Sequence, residues 1–129
     1  MNSTLDGRTI LLLSSNFGTE TDEIRGPIAA LRDAGATVTV AAPETGVIAT
    51  LERDRKPGPE VPVDAAHDSV KAADFDALVL PGGTLNADAL RGDETAQFLA
   101  RAFAADGKPV AAICHAPWLL VETGLADGR

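Results

Sequence analysis

Four short strand-like runs, three of them followed by a segment of helical spacing, constrain this chain most. They are "TILLLSS" (9–15), "TVTVAAP" (37–43), "FDALVLPGG" (75–83) and "KPVAAIC" (108–114). The continuous apolar runs read as strands buried on both faces, and "TVTVAAP" as a strand through its β-branched residues and closing proline. Between them lie "EIRGPIAALRDAG" and "GDETAQFLARAFAADG", and "APWLLVETG" follows the last. In the first helix, Ile24, Ile28 and Leu31 fall at helical spacing, and Pro27 implies either a late start or a kink. In the second, Asp93 is the expected N-cap, Gly107 the C-cap, and Phe98, Leu99, Ala102 and Phe103 the inward face. Strands separated by helices imply parallel crossovers and a sheet covered on both sides, hence an α/β sandwich of three layers.

Residues 44–72 fit that alternation poorly. "GVIATLE" reads as a short strand, "DRKPGPEVPVD" as loop on the strength of its prolines and glycine, and "SVKAAD" as at most a short helix. His67, in "DAAHDS", is expected at the surface. No internal repeat or linker divides the chain, and 129 residues suffice for one domain with a real core.

Composition bounds the function. Nineteen acidic against eleven basic residues give a net charge of −8, and no basic cluster offsets it, which argues against a nucleic-acid partner. No apolar run approaches the ~20 residues of a membrane helix, so no membrane partner is expected. The start, "MNSTLDGRTILLL", lacks the form of a secretory signal, and a single cysteine allows no internal disulfide. A reducing, cytoplasmic setting follows as the expectation. The spacing of His67, His115 and the one cysteine offers no metal site, and no cofactor fingerprint is present.

That one cysteine, Cys114, stands at the carboxyl end of a strand just before a helix, with His115 directly behind it. Ligands bind at this edge of an open parallel sheet. A tight strand-to-helix turn presses its central side chain into the open, and a helix N-terminus eases deprotonation of a thiol. A lone cysteine is more often a small buried hydrophobe; position and the adjacent histidine favour the nucleophile. His115 can accept the thiol proton, although neighbours on such a turn point apart and the imidazole then needs an orienting partner. Gly82 and Gly83 end the neighbouring strand, where they serve either as a plain turn or as backbone donors for an oxyanion. The loop after the first strand brings Glu20, Asp22 and Glu23 to the same edge, as helix-capping acids or, for one of them, as a proton partner for Cys114.

"FDALVLPGG" followed some thirty residues later by "GKPVAAICHAPWLLVETGL" resembles the PfpI/ThiJ family of the class I glutamine-amidotransferase-like superfamily. The resemblance runs from "ILLLSSNFGTETDEI" onward and implies a flavodoxin-like, three-layer α/β sandwich with a mostly parallel sheet. It implies Cys114 as nucleophile, Glu20 as the acid bonded to the thiol, and His115 as base. The N–H groups of Gly83 or its neighbour Gly82 and of His115 would form the oxyanion hole. Asp88, in "GGTLNADALR", matches the acid that orients the histidine from a neighbouring subunit, so a homodimer or higher homo-oligomer is expected. Two departures stand out. Ala116 replaces the glycine common after the Cys-His pair, and the chain stops at "LADGR" where relatives continue, so residues 1–129 read as a single domain truncated at its C-terminus. The implied activity is a cofactor-independent cysteine hydrolase of glyoxalase or deglycase type, acting on small reactive carbonyls or their adducts, with a place in the stress response. The alternatives are an intracellular cysteine peptidase or amidase, and a redox sensor or chaperone whose Cys114 oxidises without turnover. A true glutamine amidotransferase is disfavoured, since its histidine and glutamate come from a later part of the domain.

Overall fold

The computed structural model describes residues 4–125. The four main strands read from sequence, joined by a short fifth, form a parallel five-stranded sheet. β1 (Thr9–Leu13) lies at its centre, between β3 (Thr37–Ala42) and β7 (Ala77–Leu80). β8 (Val110–Ala112) forms one rim, beyond β7, and β6 (Ala65–Ala66) the other, beyond β3. Every pairing in this sheet is parallel, the crossovers running through helices except from β3 to β6, where residues 43–64 form none.

The apolar run of β1 shows how the layers divide. Leu11 and Leu13 point into one core with Leu78, Leu80, Leu99, Phe103 and Leu119, beneath helices α2 (Thr84–Arg91), α3 (Glu94–Ala105) and α4 (Pro117–Glu122). Ile10 and Leu12 point the other way, to Val38, Val40, Ile24 and Ile28 under helix α1 (Thr21–Asp33). Successive strand side chains face opposite sides, so one four-residue run fills two cores and fixes the three-layer sandwich.

One local alternative is narrowed and four expectations are corrected. Pro27 sits inside α1, which starts at Thr21, so no hydrogen bond runs from residue 27 back to the Glu23 carbonyl. "DRKPGPEVPVD" is not loop. Lys56–Val63 forms β5, antiparallel to β4 (Gly46–Glu52), which itself runs parallel to β2 (Phe17–Glu20). β5 is at the edge of that small sheet, where prolines are tolerated. The eight residues after the glycine pair make α2, an element absent from the sequence reading. Phe98 is 69% exposed, because the buried stripe of α3 runs Ala96, Leu99, Ala100 and Phe103. His67 is buried, in the first of two single 3₁₀ turns (His67–Ser69 and Ala72–Asp74), with Nε2 2.8 Å from Oδ2 of Asp93. Asp93 also caps α3 as expected, accepting from the Ala96 N–H. The turn expected at the end of the chain falls, beyond Leu125, outside the described residues.

Candidate active site

The site forms where β7 and β8 end. β7 stops at Leu80 and the chain passes through Pro81, Gly82 and Gly83 into α2; β8 stops at Ala112 and passes through Cys114 and His115 into α4. The Ile113 N–H still donates to the Leu80 carbonyl at 3.0 Å, so the two turns leave the sheet side by side.

Cys114 is exposed and has φ of 57°, in the left-handed region that non-glycine residues rarely adopt. This conformation turns the chain sharply between strand and helix and presents the thiol outward. Such strain persists only where its surroundings enforce it; here Ala116, 1% exposed, and Leu119, fully buried, anchor the start of α4. Sγ lies 3.3 Å from Nδ1 of His115. The imidazole packs edge-on against Trp118 at 5.1 Å, and the guanidinium of Arg91 lies over the other residue's indole at 5.1 Å.

Glu23, rather than Glu20, is the acid the structure brings to the thiol. A Cβ built on Gly82 would overlap Glu23 Oε1 and lie 2.9 Å from both Glu23 Cδ and Cys114 Cβ. The carboxyl group and the thiol side chain therefore converge on one glycine. Glu23 Oε1 is buried and has no hydrogen-bond partner among the described residues. Burial pushes the Glu23 carboxyl above the ordinary glutamate range; the charges of Glu20 and Asp54 push the same way, and His115 opposes them.

Glu20 is committed elsewhere. It ends β2, and its carboxylate accepts the N–H groups of Arg53 at 2.8 Å and Asp54 at 3.1 Å, in the turn joining β4 to β5. Both turn residues have positive φ, 57° and 59°. Asp54 in turn accepts from the Thr84 N–H at 3.1 Å and hydroxyl at 3.0 Å, capping α2 directly after the glycine pair. Two acids thus clasp the hairpin turn to the edge of the site. The residues alone left Glu20, Asp22 and Glu23 open and the resemblance pointed to Glu20, because the short strand β2 was invisible in the sequence. Once β2 ends at Glu20, the third residue of α1 is the one that can look back over the glycine turn.

Gly82 abuts the Cys114 side chain, and the adjoining Gly83 has φ of 105°. Its backbone passes so close to Gly18 and Glu20 that a Cβ would meet the Gly18 carbonyl oxygen at 2.5 Å. The N–H groups of Gly82, Gly83, Cys114 and His115 have no acceptor among the described residues. Asp88 is exposed and pairs with Arg91 Nε at 3.5 Å, and Arg91 in turn lies over Trp118, the residue against which the imidazole packs. Among the described residues no group of three or more His, Cys, Asp or Glu could hold a metal ion, and no helix is long and apolar enough to cross a membrane.

The DJ-1/PfpI family pattern matches residues 8–129. The chain belongs to the DJ-1/PfpI family. It is 42% identical over 120 residues to "Deglycase PfpI" of Pyrococcus furiosus, covering 93% of this chain and 68% of that one. It is 41% identical over 110 residues to "General stress protein 18" of Bacillus subtilis, covering 85% and 62%. It is 40% identical over 119 residues to "Putative cysteine protease YraA" of the same organism, covering 92% and 66%. The chain thus spans about two thirds of the length of these curated relatives. Among solved structures, the oxidized form of Toxoplasma gondii DJ-1 superposes with a TM-score of 0.83 at 30% identity, covering 95% of this chain and 64% of that one. Drosophila melanogaster DJ-1beta superposes with a TM-score of 0.80 at 32% identity, covering 92% and 61%. The family's mostly parallel α/β sandwich is therefore the fold of this chain, and two of these relatives are named as a deglycase and a putative cysteine protease.

Proposed function

We propose that this chain carries the nucleophile of a cysteine-dependent hydrolase acting on small reactive carbonyls or their adducts, in the manner of a deglycase. The observation that carries the reading is the left-handed Cys114, whose exposed thiol stands 3.3 Å from His115 Nδ1 while Glu23 converges on the same glycine. In this reading the thiol gives its proton to His115 and the thiolate adds to an aldehyde carbon. The carbon–oxygen π pair moves to oxygen, where the free N–H groups of Gly83 and His115 receive the charge. Glu23, held toward its protonated form by burial, supplies a proton to that oxygen and the hemithioacetal results. The relatives named as deglycases support the carbonyl substrate, and one-thiol chemistry fits a cytoplasmic setting.

The peptidase reading uses the same atoms with an amide carbonyl in place of the aldehyde, and a relative named as a cysteine protease favours keeping it in view. The test is loss of methylglyoxal without glutathione, run beside cleavage of a peptide amide. Methylglyoxal turnover that disappears in Cys114→Ala is expected. Amide cleavage alone would transfer the site to the peptidase reading. Oxygen addition at Cys114 under peroxide, with neither turnover, would make it a redox sensor.

We also propose that His115 is oriented by Asp88 of a second copy, in a homodimer or larger homo-oligomer. Mixing Cys114→Ala with Asp88→Ala chains should regain part of the activity that each lacks. No recovery in a demonstrably mixed oligomer would end that proposal.

A further inference from the structure

Behind the glycine turn lies a buried polar cluster that the proposed chemistry does not itself use. Asn86, on α2, is fully buried. Its Oδ1 accepts from the Ser15 N–H at 2.7 Å, the Ser15 hydroxyl at 2.8 Å and the Ser14 hydroxyl at 3.2 Å, all just past the end of β1. Its Nδ2 donates to the Pro81 carbonyl at 2.8 Å and the Gly82 carbonyl at 3.3 Å. The Ser14 hydroxyl is itself held by Thr19, 2.6 Å away. A buried amide with both ends occupied is rigid and costly to disturb.

The two acceptors of Nδ2 are what matter. In a trans peptide the C=O and the following N–H point in opposite directions, and no peptide here is cis. Drawing the Pro81 carbonyl toward Asn86 therefore turns the Gly82 N–H away from it. Drawing the Gly82 carbonyl the same way, with help from the Glu20 N–H at 3.2 Å, does the same for the Gly83 N–H. Two successive N–H groups facing one side form a concavity that attracts negative charge. Both lack an acceptor among the described residues, and Gly82 is the glycine against which Glu23 and Cys114 converge.

We propose that Asn86 is a positioning residue: one side-chain amide aims the Gly82 and Gly83 N–H groups outward and so sets how well the site receives negative charge on a substrate oxygen. This deepens the function proposed above and rests on it. Asn86 itself touches no substrate and leaves the thiol alone.

The experiment compares two reactions of the same thiol. Acylation by p-nitrophenyl acetate develops an oxyanion; alkylation by iodoacetamide does not. Asn86→Asp keeps the size and the acceptor but loses the donor, and Ser15→Ala is a milder variant that loosens the Asn86 side chain. Acylation is expected to fall about 10- to 100-fold in Asn86→Asp and about 2- to 10-fold in Ser15→Ala, while alkylation and its pH profile stay within about twofold. Equal falls in both reactions, or none in acylation, would overturn the inference. A crystal structure of either variant reads the device without any turnover. A rotated Gly82–Gly83 peptide supports it and an unmoved one overturns it, even if the wild-type thiol proves unreactive toward carbonyls and the functional reading fails.

Discussion

The carboxyl group of Glu23 occupies the place where a side chain on Gly82 would have to go. Glycine is required there by the acid above it rather than by its own backbone angles, since Gly82 is not among the residues with positive φ. Gly82→Ala should therefore push Glu23 and Cys114 apart while leaving the turn itself unstrained. Alkylation of Cys114 should change rate about 10- to 100-fold, with little loss of melting temperature. An unchanged alkylation rate would show that the carboxyl group and the thiol act independently.

Glu23 also predicts a pH dependence of stability. Its folded pKa is raised, so the folded chain holds this proton more tightly than the unfolded chain. The stabilisation is complete below the unfolded value, about 4.3, and is lost as pH rises through the raised folded value. Glu23→Gln removes the titration. The melting temperature of the variant relative to wild type should climb from pH 4 upward and level off once Glu23 is ionised. A difference that stays flat across this range would mean that the carboxyl group is not strained by its burial.

The turn from β4 to β5 places Arg53 and Asp54 both in the left-handed region. Asparagine visits that region at lower cost than arginine, and the Glu20 carboxylate bonds only the backbone N–H of residue 53. Arg53→Asn should stabilise the chain by about 0.5–1 kcal/mol in chemical denaturation. A loss of stability instead would mean that the arginine side chain contributes more than its backbone costs.

His67 and Asp93 form a largely buried pair that ties the first 3₁₀ turn to the start of α3. His67→Ala leaves Asp93 with its capping bond but without the imidazole. It should cost about 1–3 kcal/mol of stability and leave Cys114 alkylation unaltered. A changed alkylation rate would reveal coupling between α3 and the elbow.

What the sequence revealed and what it hid divide along physical lines. The runs around Leu11 and Leu78 were legible because a strand buried on both faces has few polar positions to confuse it, and those around Val38 and Val110 because their apolar or β-branched residues end in a proline or a strand-to-helix turn. Cys114 was legible because strand, thiol and helix start are contiguous in the chain. Glu23 was not, because choosing between two acids three residues apart depends on where β2 ends, and β2 is four residues of mixed polarity. Asn86 was hidden for a related reason: "TLNADALR" follows a glycine pair and reads as more turn until a core exists to bury it. His67 and Phe98 exchanged their expected places because burial is decided by neighbours distant in sequence.

Pro57, Pro59 and Pro62, which disguised β5 as loop, have an effect beyond that strand. An outermost strand is a template on which another chain can add by pairing with its free backbone groups. Three of the eight residues of β5 bring no N–H to such a pairing, so an incoming strand would find gaps in the ladder along this rim. The exposed antiparallel hairpin beside the candidate site thus offers a poor template for copies of the chain to pair edge to edge.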